Sequence, residues 1–336
     1  MSYLITGGAG FIGSNLAEQL SQKGKSVRIL DNFFSGKRKN LSFAGHSDLE
    51  ILEGDIRKLQ DCRTAVAGVD FVLHHAALAS VPRSIQEPLL NHDINVTGTL
   101  NLLIAARDAH VKRFIFASSS SIYGNGDSAG EDPERPKNEE CQPAPLSPYA
   151  LSKHIGEQNC RLFHQLYGLD VVILRYFNVF GKKQDPGSEY AAVIPKFIEA
   201  VLKGERPLIY GTGMQSRDFV YIDDVVEANL RACLAPQTAV GRVFNIASGK
   251  GYNLIDILDY LRQVDGRMIN PIFAQPKPGD IMFSLADISR ARNLLGFEPS
   301  VSFREGLVKT LQWYKGTISG PPILQRGFLD STLQPA

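Results

Sequence analysis

The chain has 336 residues, 43% of them hydrophobic and 21% charged, and its formal net charge is +1. This composition is typical of a globular protein with a substantial core, and the near-neutral charge gives no reason to expect nucleic acid or a membrane surface as a partner. The four cysteines include no C-x-x-C pair, and no apolar run approaches the ~20 residues of a membrane span.

Strands and helices alternate along the first half of the chain. Short apolar, β-branched runs predict strands, and longer stretches with helical spacing of apolar residues predict helices. The predicted strands are Ser2–Thr6, Ser26–Leu30, Leu49–Glu53, Val69–His74, Arg113–Ala117 and Asp170–Leu174, and the predicted helices are Phe11–Lys23, Asp93–His110 and Pro148–Tyr167. This order predicts the α/β class, with a doubly wound parallel sheet of the Rossmann type.

The second half mixes helices with short strands and loops rich in proline and glycine. Val243–Ile246 is predicted to be a further strand of the main sheet. Helices are predicted at about Tyr190–Lys203, Asp223–Ala232 and Leu254–Val264.

We therefore predict three parts. Residues 1–178 form a dinucleotide-binding Rossmann domain, which also takes sheet strands from about 242–247. Residues 179–316 mainly form a smaller α/β substrate-binding lobe, and 317–336 form a tail. The chain after Trp313 shows little periodicity and is expected to be partly mobile.

Four glycines fall within seven residues directly after the first predicted strand, in the run GGAGFIG from Gly7 to Gly13. A helix N-terminus carries unpaired N–H groups and the positive end of the helix dipole, so it can hold a pyrophosphate where no side chain blocks the backbone. The strand before the run and the helix after it favour a dinucleotide site over a simple tight turn. The spacing, G-x-x-G-x-x-G, differs from the standard G-x-G-x-x-G fingerprint.

Asp31 follows Gly13 by eighteen residues and comes directly after the second predicted strand. A carboxylate there can accept hydrogen bonds from the adenosine ribose and would repel a 2′-phosphate, which favours NAD over NADP. The basic run Lys37-Arg38-Lys39 argues weakly for NADP unless it is simply a solvated loop.

Tyr149 and Lys153 stand four residues apart in a predicted helix, so their side chains share one helix face. A phenol with a pKa near ~10 is a poor base at neutral pH, but an adjacent ammonium and a positive nicotinamide ring both favour the phenolate. Tyr149 is therefore a candidate general base and acid. The same spacing also occurs on ordinary helix surfaces, and the preceding dinucleotide turn and strands favour the catalytic interpretation.

Eight motifs follow one another along the chain: TGGAGFIG, LDNFFSGK, EGDIR, HHAALASVPRS, SSSIYG, PYALSK, LRYFNVFG and RDFVYIDDV. With them the chain resembles the extended short-chain dehydrogenase/reductase family from residue 1 to about 315, and within that family the UDP-sugar 4-epimerases. The motifs specify the family more closely than the substrate. The resemblance places the catalytic serine at Ser119, beside Tyr149 and Lys153, whereas Ser118 is interpreted as a turn residue.

The glycine turn and the resemblance together predict one set of residues for NAD and another for the UDP-sugar. The predicted cofactor-binding residues are Gly7, Gly10, Phe11, Ile12, Gly13, Asp31, Asn32, Ser35, Gly36, Asp55, Ile56, Ala76, Ala77, Leu78, Asn95, Tyr149, Lys153 and Tyr176. The predicted substrate-binding residues are Ser80, Arg83, Ser119, Ser120, Tyr149, Asn178, Ala192, Val193, Lys196, Tyr210, Arg217, Lys277, Asp280 and Ser284.

The resemblance implies NAD-dependent epimerisation at C4 of a UDP-hexose through a 4-keto intermediate. In that reaction Tyr149 would remove the proton from the sugar O4 while Ser119 shares the hydrogen bond, and NAD would supply the redox chemistry. Dehydratases and decarboxylases need a further acid or base after the catalytic residue, where this chain has Ser120 and Ser121. A non-catalytic NAD sensor would typically lack the tyrosine or the lysine.

Ser284 aligns with a position at which a bulky tyrosine restricts some epimerases to plain hexoses. A small residue there leaves room for a 2-acetamido group, and the run SVPRS from Ser80 to Ser84 also resembles the N-acetylhexosamine type. We therefore predict UDP-GlcNAc/UDP-GalNAc as substrates, with UDP-Glc/UDP-Gal also used. A UDP-uronic acid is the alternative, because Arg83 or Lys277 could meet a carboxylate.

Other polar clusters predict structure rather than chemistry. His74 and His75 lack further ligands at metal-binding spacing, so no metal is expected, and Asp223-Asp224 are interpreted as a helix N-cap. We expect a cytoplasmic protein without a signal peptide, since Thr6 and the glycines follow the start at once. The family implies a homodimer built from the helices Asp93–His110 and Pro148–Tyr167.

Overall fold

The computed structural model describes residues 1–43, 49–125, 135–187, 192–276 and 282–318. Its largest element is a seven-stranded parallel sheet with the order β10-β6-β5-β4-β1-β2-β3. The strands are β1 Ser2–Thr6, β2 Ser26–Asp31, β3 Leu49–Glu53, β4 Phe71–His74, β5 Arg113–Ser119, β6 Val171–Tyr176, β7 Asn178–Phe180, β8 Leu208–Tyr210, β9 Ser216–Tyr221, β10 Val243–Ile246, β11 Gly251–Asn253, β12 Ile272–Ala274 and β13 Phe283–Ser284.

Helices cover both faces of this sheet and build most of the remaining chain. A π-helical segment, Asp93–Thr97, joins two of them. The helices are α1 Phe11–Gln22, α2 Leu59–Val66, α3 Val81–Gln86, α4 Pro88–His92, α5 Gly98–Asp108, α6 Pro148–Tyr167, α7 Val193–Lys203, α8 Ile222–Leu234, α9 Leu254–Asp265, α10 Ser289–Leu295 and α11 Phe303–Ile318. Within the described ranges, none of them is both long and apolar enough to cross a bilayer.

The sheet is buried on both sides, as an all-parallel sheet requires. Successive residues of β1 alternate between the two core layers: Ile5 packs with Leu16 of α1 and Val225 of α8, whereas Leu4 packs with the layer under α2, α5 and α6. This arrangement confirms the predicted doubly wound α/β class. The carboxyl ends of the parallel strands all meet at one edge of the sheet, where ligands bind in folds of this kind.

β10 comes from the second half of the chain but completes the main sheet. It pairs in parallel with β6, and its four residues are buried. The boundaries predicted for this strand agree with the structure. The second half of the chain therefore contributes an edge strand to the sheet that the first half builds.

A second, smaller sheet lies in the second half of the chain. β9 is its centre and pairs with β7, β11 and β13, while β8 and β12 form a separate two-stranded ladder. Strands of two or three residues carry too little periodicity to be predicted individually from sequence.

Several predicted boundaries differ from the structure by one or two residues, such as the start of β4 and the end of β5. The first turn of the predicted helix at 93 is π-helical, and the helix predicted from Tyr190 is described from Val193 onward. The helix α11 continues past Trp313 to Ile318, although the sequence shows little periodicity there. Helices α2, α3, α4, α10 and α11 were not predicted.

Candidate active site

The glycine turn joins β1 to α1 and packs against the backbone that follows β4. Gly7 has a left-handed φ of +68°, and a Cβ there would lie 2.7 Å from the backbone nitrogen of Ala76. A Cβ on Gly13 would lie 2.2 Å from the carbonyl oxygen of Gly7. Both positions require glycine, because any side chain would strike neighbouring backbone.

The N-terminus of α1 carries no side-chain cap and no acidic residue in its first turn. By contrast, α6 is capped by Ser147 and α9 by Asn253. The first turn of α1 therefore lines a cavity of about 260 Å³. No capping side chain accepts a hydrogen bond from its N–H groups. An uncapped helix N-terminus next to bare glycine backbone fits a pyrophosphate.

The cavity runs along the carboxyl edge of the sheet. It brings together fifteen of the eighteen residues predicted for the cofactor. These are Gly7, Gly10, Phe11, Ile12, Gly13, Asp31, Asn32, Ser35, Gly36, Asp55, Ile56, Ala76, Ala77, Tyr149 and Lys153.

Asp31 closes one end of the cavity and shapes the loops around it. Its carboxylate accepts hydrogen bonds from the backbone N–H groups of Ala9 and Phe33, both at 2.8 Å. Burial raises the pKa of Asp31, and these two hydrogen bonds oppose that rise. A Cβ on Gly36 would approach the same carboxylate to 2.9 Å, so a side chain at position 36 would crowd Asp31.

Asp55 lies beside Asp31 on the same wall of the cavity. Its carboxylate accepts hydrogen bonds from Arg57 and from the side-chain amide of Asn32. The guanidinium of Arg57 lowers the pKa of Asp55 to about 2, so this carboxylate is ionised at neutral pH.

Tyr149 enters the cavity from the first turn of α6. Ser147 caps this helix by accepting a hydrogen bond from the N–H of Ala150 at 3.1 Å, and Pro148 occupies the first helical position. The N–H of Tyr149 itself donates to the buried hydroxyl of Ser84 at 3.1 Å. Ser84 thus fixes the start of the catalytic helix, a role that sequence reasoning missed.

The Ser119 hydroxyl, at the end of β5, lies close enough to the phenol of Tyr149 to affect its pKa. Burial raises the pKa of Tyr149, and the Ser119 hydrogen bond partly offsets the rise. The Ser119 oxygen in turn accepts hydrogen bonds from the N–H and the hydroxyl of Ser121, at 3.2 and 2.9 Å, which leaves its own proton for the phenol.

Lys153 lies one helical turn beyond Tyr149 and is buried. Its ammonium donates to the carbonyl oxygen of Ala117 at 2.7 Å and lies 5.1 Å from the ring centre of Phe116. Burial disfavours the charged form and lowers the pKa of Lys153 to about 8. With a pKa of about 8, the amine is still mostly protonated at neutral pH but titrates well below an ordinary lysine.

Three predicted cofactor residues do not line the cavity. Asn95 is buried behind it, accepts the N–H of Leu78 at 2.8 Å and donates to Ser152 at 3.0 Å. It thereby ties the backbone after β4 to the residue next to Lys153. Tyr176 lies deeper, where its hydroxyl donates to Asn229 and its ring stacks on His75, a cavity-lining residue.

The small sheet gathers three of the predicted substrate residues. Ser284 on β13 is the register neighbour of Arg217 on β9. Asn178 on β7 donates its side-chain amide to the carbonyl oxygen of Asp218, the residue after Arg217. Arg217 itself donates to the carbonyl oxygens of Ser216 and Met282.

The other predicted substrate residues within the described ranges lie on several different elements. Ser80 caps α3, and Arg83 on that helix contacts Glu87 at 2.8 Å and stacks 4.5 Å from the ring centre of Phe34. Tyr210 lines a separate cavity with Phe273. Ser120 begins a 3₁₀ turn, and the start of α7 carries Ala192, Val193 and Lys196. The last two predicted residues, Lys277 and Asp280, lie outside the described residues.

Two structural interpretations of the sequence were wrong. Ser118 is not a turn residue; it belongs to β5, and its hydroxyl donates to the buried carboxylate of Glu157. The helix α8 begins after Tyr221, so Asp223 and Asp224 lie inside its first turn, and Asp224 binds the N–H groups of Ser300 and Val301 instead of capping.

His74 is buried between two hydroxyl groups, those of Thr6 at 2.7 Å and Thr99 at 2.9 Å. Burial lowers its pKa well below the ordinary value, so the ring is neutral. Over the part of the chain that the structure describes, no group of three or more histidines, cysteines or carboxylates is placed to hold a metal ion.

Comparison with known proteins identifies the family of this chain. Residues 3–247 match the model of the NAD dependent epimerase/dehydratase family. A putative UDP-glucose 4-epimerase of Methanocaldococcus jannaschii is 37% identical, covering 93% of this chain and 98% of the relative. A UDP-glucuronate 4-epimerase of Thermodesulfobacterium geofontis is 36% identical, covering 94% and 97%.

Among solved structures, a UDP-N-acetylglucosamine 4-epimerase from Methanobrevibacter ruminantium, in complex with UDP-N-acetylmuramic acid, superposes with a TM-score of 0.88. It is 40% identical, and the match covers 94% of this chain and 98% of that one. Decarboxylases and dehydratases of sugar nucleotides also occur among the similar proteins.

Proposed function

The chain belongs to the NAD-dependent epimerase/dehydratase family, and from this membership we propose that it inverts C4 of a UDP-hexose, with UDP-GlcNAc and UDP-GalNAc as preferred substrates and UDP-Glc and UDP-Gal also used. The protein is a UDP-sugar 4-epimerase of the extended short-chain dehydrogenase/reductase type, and NAD is its cofactor. The observation that supports this proposal is that Tyr149 and Lys153 both line the cavity beside the glycine turn, with Ser119 next to the Tyr149 phenol.

The protein's own groups hold the nucleotides and move one proton. Tyr149 accepts the proton of the sugar O4. The Ser119 hydroxyl forms hydrogen bonds with the phenol oxygen of Tyr149 and with the sugar O4 during this transfer. The buried Lys153 supplies positive charge that favours the phenolate, against the burial that raises the pKa of Tyr149. NAD supplies the redox chemistry at C4. Tight binding of the UDP part keeps the 4-keto sugar in the site while it turns its other face.

The sugar preference rests on Ser284. Its side chain is small, and its position next to Arg217 places it beside the residue proposed to bind the diphosphate. A bulky residue at 284 would occupy the space that a 2-acetamido group needs.

We expect Ser284→Tyr to lower kcat/KM for UDP-GlcNAc by about tenfold or more while leaving UDP-Glc nearly unchanged, because only the larger sugar meets the new ring. Steady-state kinetics with both sugars checks this, and Ser216→Ala, on the same small sheet, is the control. Equal losses on both sugars would show that Ser284 does not select the substrate.

A panel of nucleotide sugars with quantification of C4 epimers tests the proposed function directly. We expect interconversion of the N-acetyl pair and, more weakly, of the plain pair. Exclusive turnover of UDP-glucuronic acid would support the alternative, a uronic acid 4-epimerase. In that case Arg83 or Lys277 would bind the sugar carboxylate, and of these two only Arg83 lies within the described residues. Loss of carbon dioxide or water would indicate a lyase, which Ser120 and Ser121 argue against.

We also propose a homodimer through α5 and α6, because both helices expose apolar residues that a monomer would leave in water. Leu151, Leu162 and Leu166 on α6 are 47, 49 and 67% exposed, and Leu100 on α5 is 37% exposed. Two copies of this helix pair would bury the leucines in a four-helix interface.

Leu162→Glu is expected to convert the dimer to a monomer, because two charges would have to be buried together. Light scattering after size-exclusion chromatography measures the mass. The control is Leu234→Glu on α8, a leucine that is 64% exposed and lies outside α5 and α6. A wild-type protein that elutes as a monomer, or a Leu162→Glu variant that stays dimeric, would contradict the proposal.

A further inference from the structure

A buried ion pair lies one helical turn beyond the catalytic lysine. Glu157 and Arg175 have exposed side-chain fractions of 0 and 2%. Nε and Nη2 of Arg175 donate to the two carboxylate oxygens of Glu157, at 2.8 and 2.7 Å. The proposed reaction uses neither residue, and a buried pair of this kind rarely adds much net stability.

The pair is connected to the cavity through Ser118. The Ser118 hydroxyl donates to Oε1 of Glu157 at 2.5 Å, and Ser118 itself lines the cavity. On either side of it, Ala117 holds the Lys153 ammonium and Ser119 holds the Tyr149 phenol. Glu157 therefore fastens the end of β5, which carries both catalytic contacts, to the helix that carries Tyr149 and Lys153.

The helix spacing brings the charges together. Tyr149, Lys153 and Glu157 follow at four-residue intervals, so they lie in one row facing β5. The negative charge of Glu157 opposes the effect of burial on Lys153 and raises its pKa. The other titratable groups near the ammonium are Cys160 on the same helix and His74 and His75 from β4, while Arg175 from β6 faces Glu157.

We propose that Glu157 is a positioning residue of the active site, which locks the catalytic end of β5 to α6 and, balanced by Arg175, sets the proportion of Lys153 that carries a positive charge. The inference rests on the role given to Lys153 in the proposed function. Glu157 touches neither the cavity nor any reacting atom, and it acts through Ser118 and Lys153.

The test titrates Lys153 directly in the full-length protein saturated with NAD, by the ¹³Cε shift in lysine-labelled protein, with Lys153→Met to assign the signal. Glu157→Gln should lower the titration midpoint by about one pH unit, since a unit charge about one helical turn away is removed. Arg175→Gln should raise it, because Glu157 then acts without its counter-charge. The alkaline limb of the pH profile of kcat should move in the same directions.

Each single variant leaves one buried charge unpaired, so the neutral pair Glu157→Gln/Arg175→Gln provides a variant expected to fold. It should shift the midpoint in the direction of Glu157→Gln, by a smaller amount. Asp224→Asn, which alters a buried carboxylate remote from the cavity, is the matched control and should leave the midpoint unchanged.

An unchanged Lys153 midpoint in folded Glu157→Gln or in the double variant would overturn the inference, as would an equal shift in Asp224→Asn. The titration needs no turnover. If the protein epimerised no UDP-sugar, the proposed function would fail while the shift in Lys153 would still decide the role of Glu157.

Discussion

Tyr149→Phe is expected to lower kcat by about 10³-fold while the affinity for UDP-sugar stays within about twofold of wild type. The substitution removes one oxygen, the atom that takes the O4 proton, and leaves the ring in its place against the cavity. Because the UDP part is proposed to bind on the small sheet around Arg217, its contacts do not depend on the phenol. Turnover by coupled assay and binding by calorimetry separate the two effects.

Tyr167→Phe, on the same helix but 52% exposed at its far end, is the matched control and should keep the wild-type rate. A Tyr149→Phe enzyme that turns over at the wild-type rate would remove Tyr149 from the mechanism. A parallel loss of UDP-sugar affinity would instead make it a binding residue.

Gly13→Ala should abolish measurable NAD binding and lower the free energy of unfolding by about 2–3 kcal/mol. The new methyl group would lie 2.2 Å from the carbonyl oxygen of Gly7, so α1 must move away from the turn that holds the pyrophosphate. Calorimetry on nucleotide-free protein measures the NAD affinity, and urea unfolding measures the stability.

Gly316→Ala provides the comparison, because a Cβ at Gly316 in α11 meets nothing within 4 Å. That substitution should leave NAD binding unchanged and raise the free energy of unfolding by about 0.5–1 kcal/mol, since it removes a glycine from a helix. Wild-type NAD affinity in Gly13→Ala would mean that the cofactor does not depend on the close approach of α1 to the turn.

Local signals in the sequence were sufficient for the elements that build the cavity. The bounds of α6 follow from Ser147 as N-cap, Pro148 at the first helical position and Gly168 with φ +69° after the last turn. The glycine turn also follows from a local signal, because a side chain at these positions would strike neighbouring atoms. Fifteen of the eighteen cofactor residues predicted from these signals and from the family resemblance therefore lie along one cavity.

Contacts between distant parts of the chain could not be predicted in the same way. Ser118 looks like a turn residue beside three further serines, and only the packing of α6 on β5 reveals its bond to Glu157, 39 positions away. Asp224 resembles a helix cap until the segment at Ser300 is seen to lie against it. The small sheet depends on pairing between strands of two to six residues, which carry no individual signal.

The edge strand β10 has a consequence for how such proteins diversify. Its register neighbours lie on β6, with Asn245 beside Arg175, although more than sixty positions separate them in the chain. A chain cut between the two halves would leave β6 with a bare edge, on which other chains can assemble. Recombination that swapped the second half for that of a relative would have to replace a piece of the nucleotide fold as well.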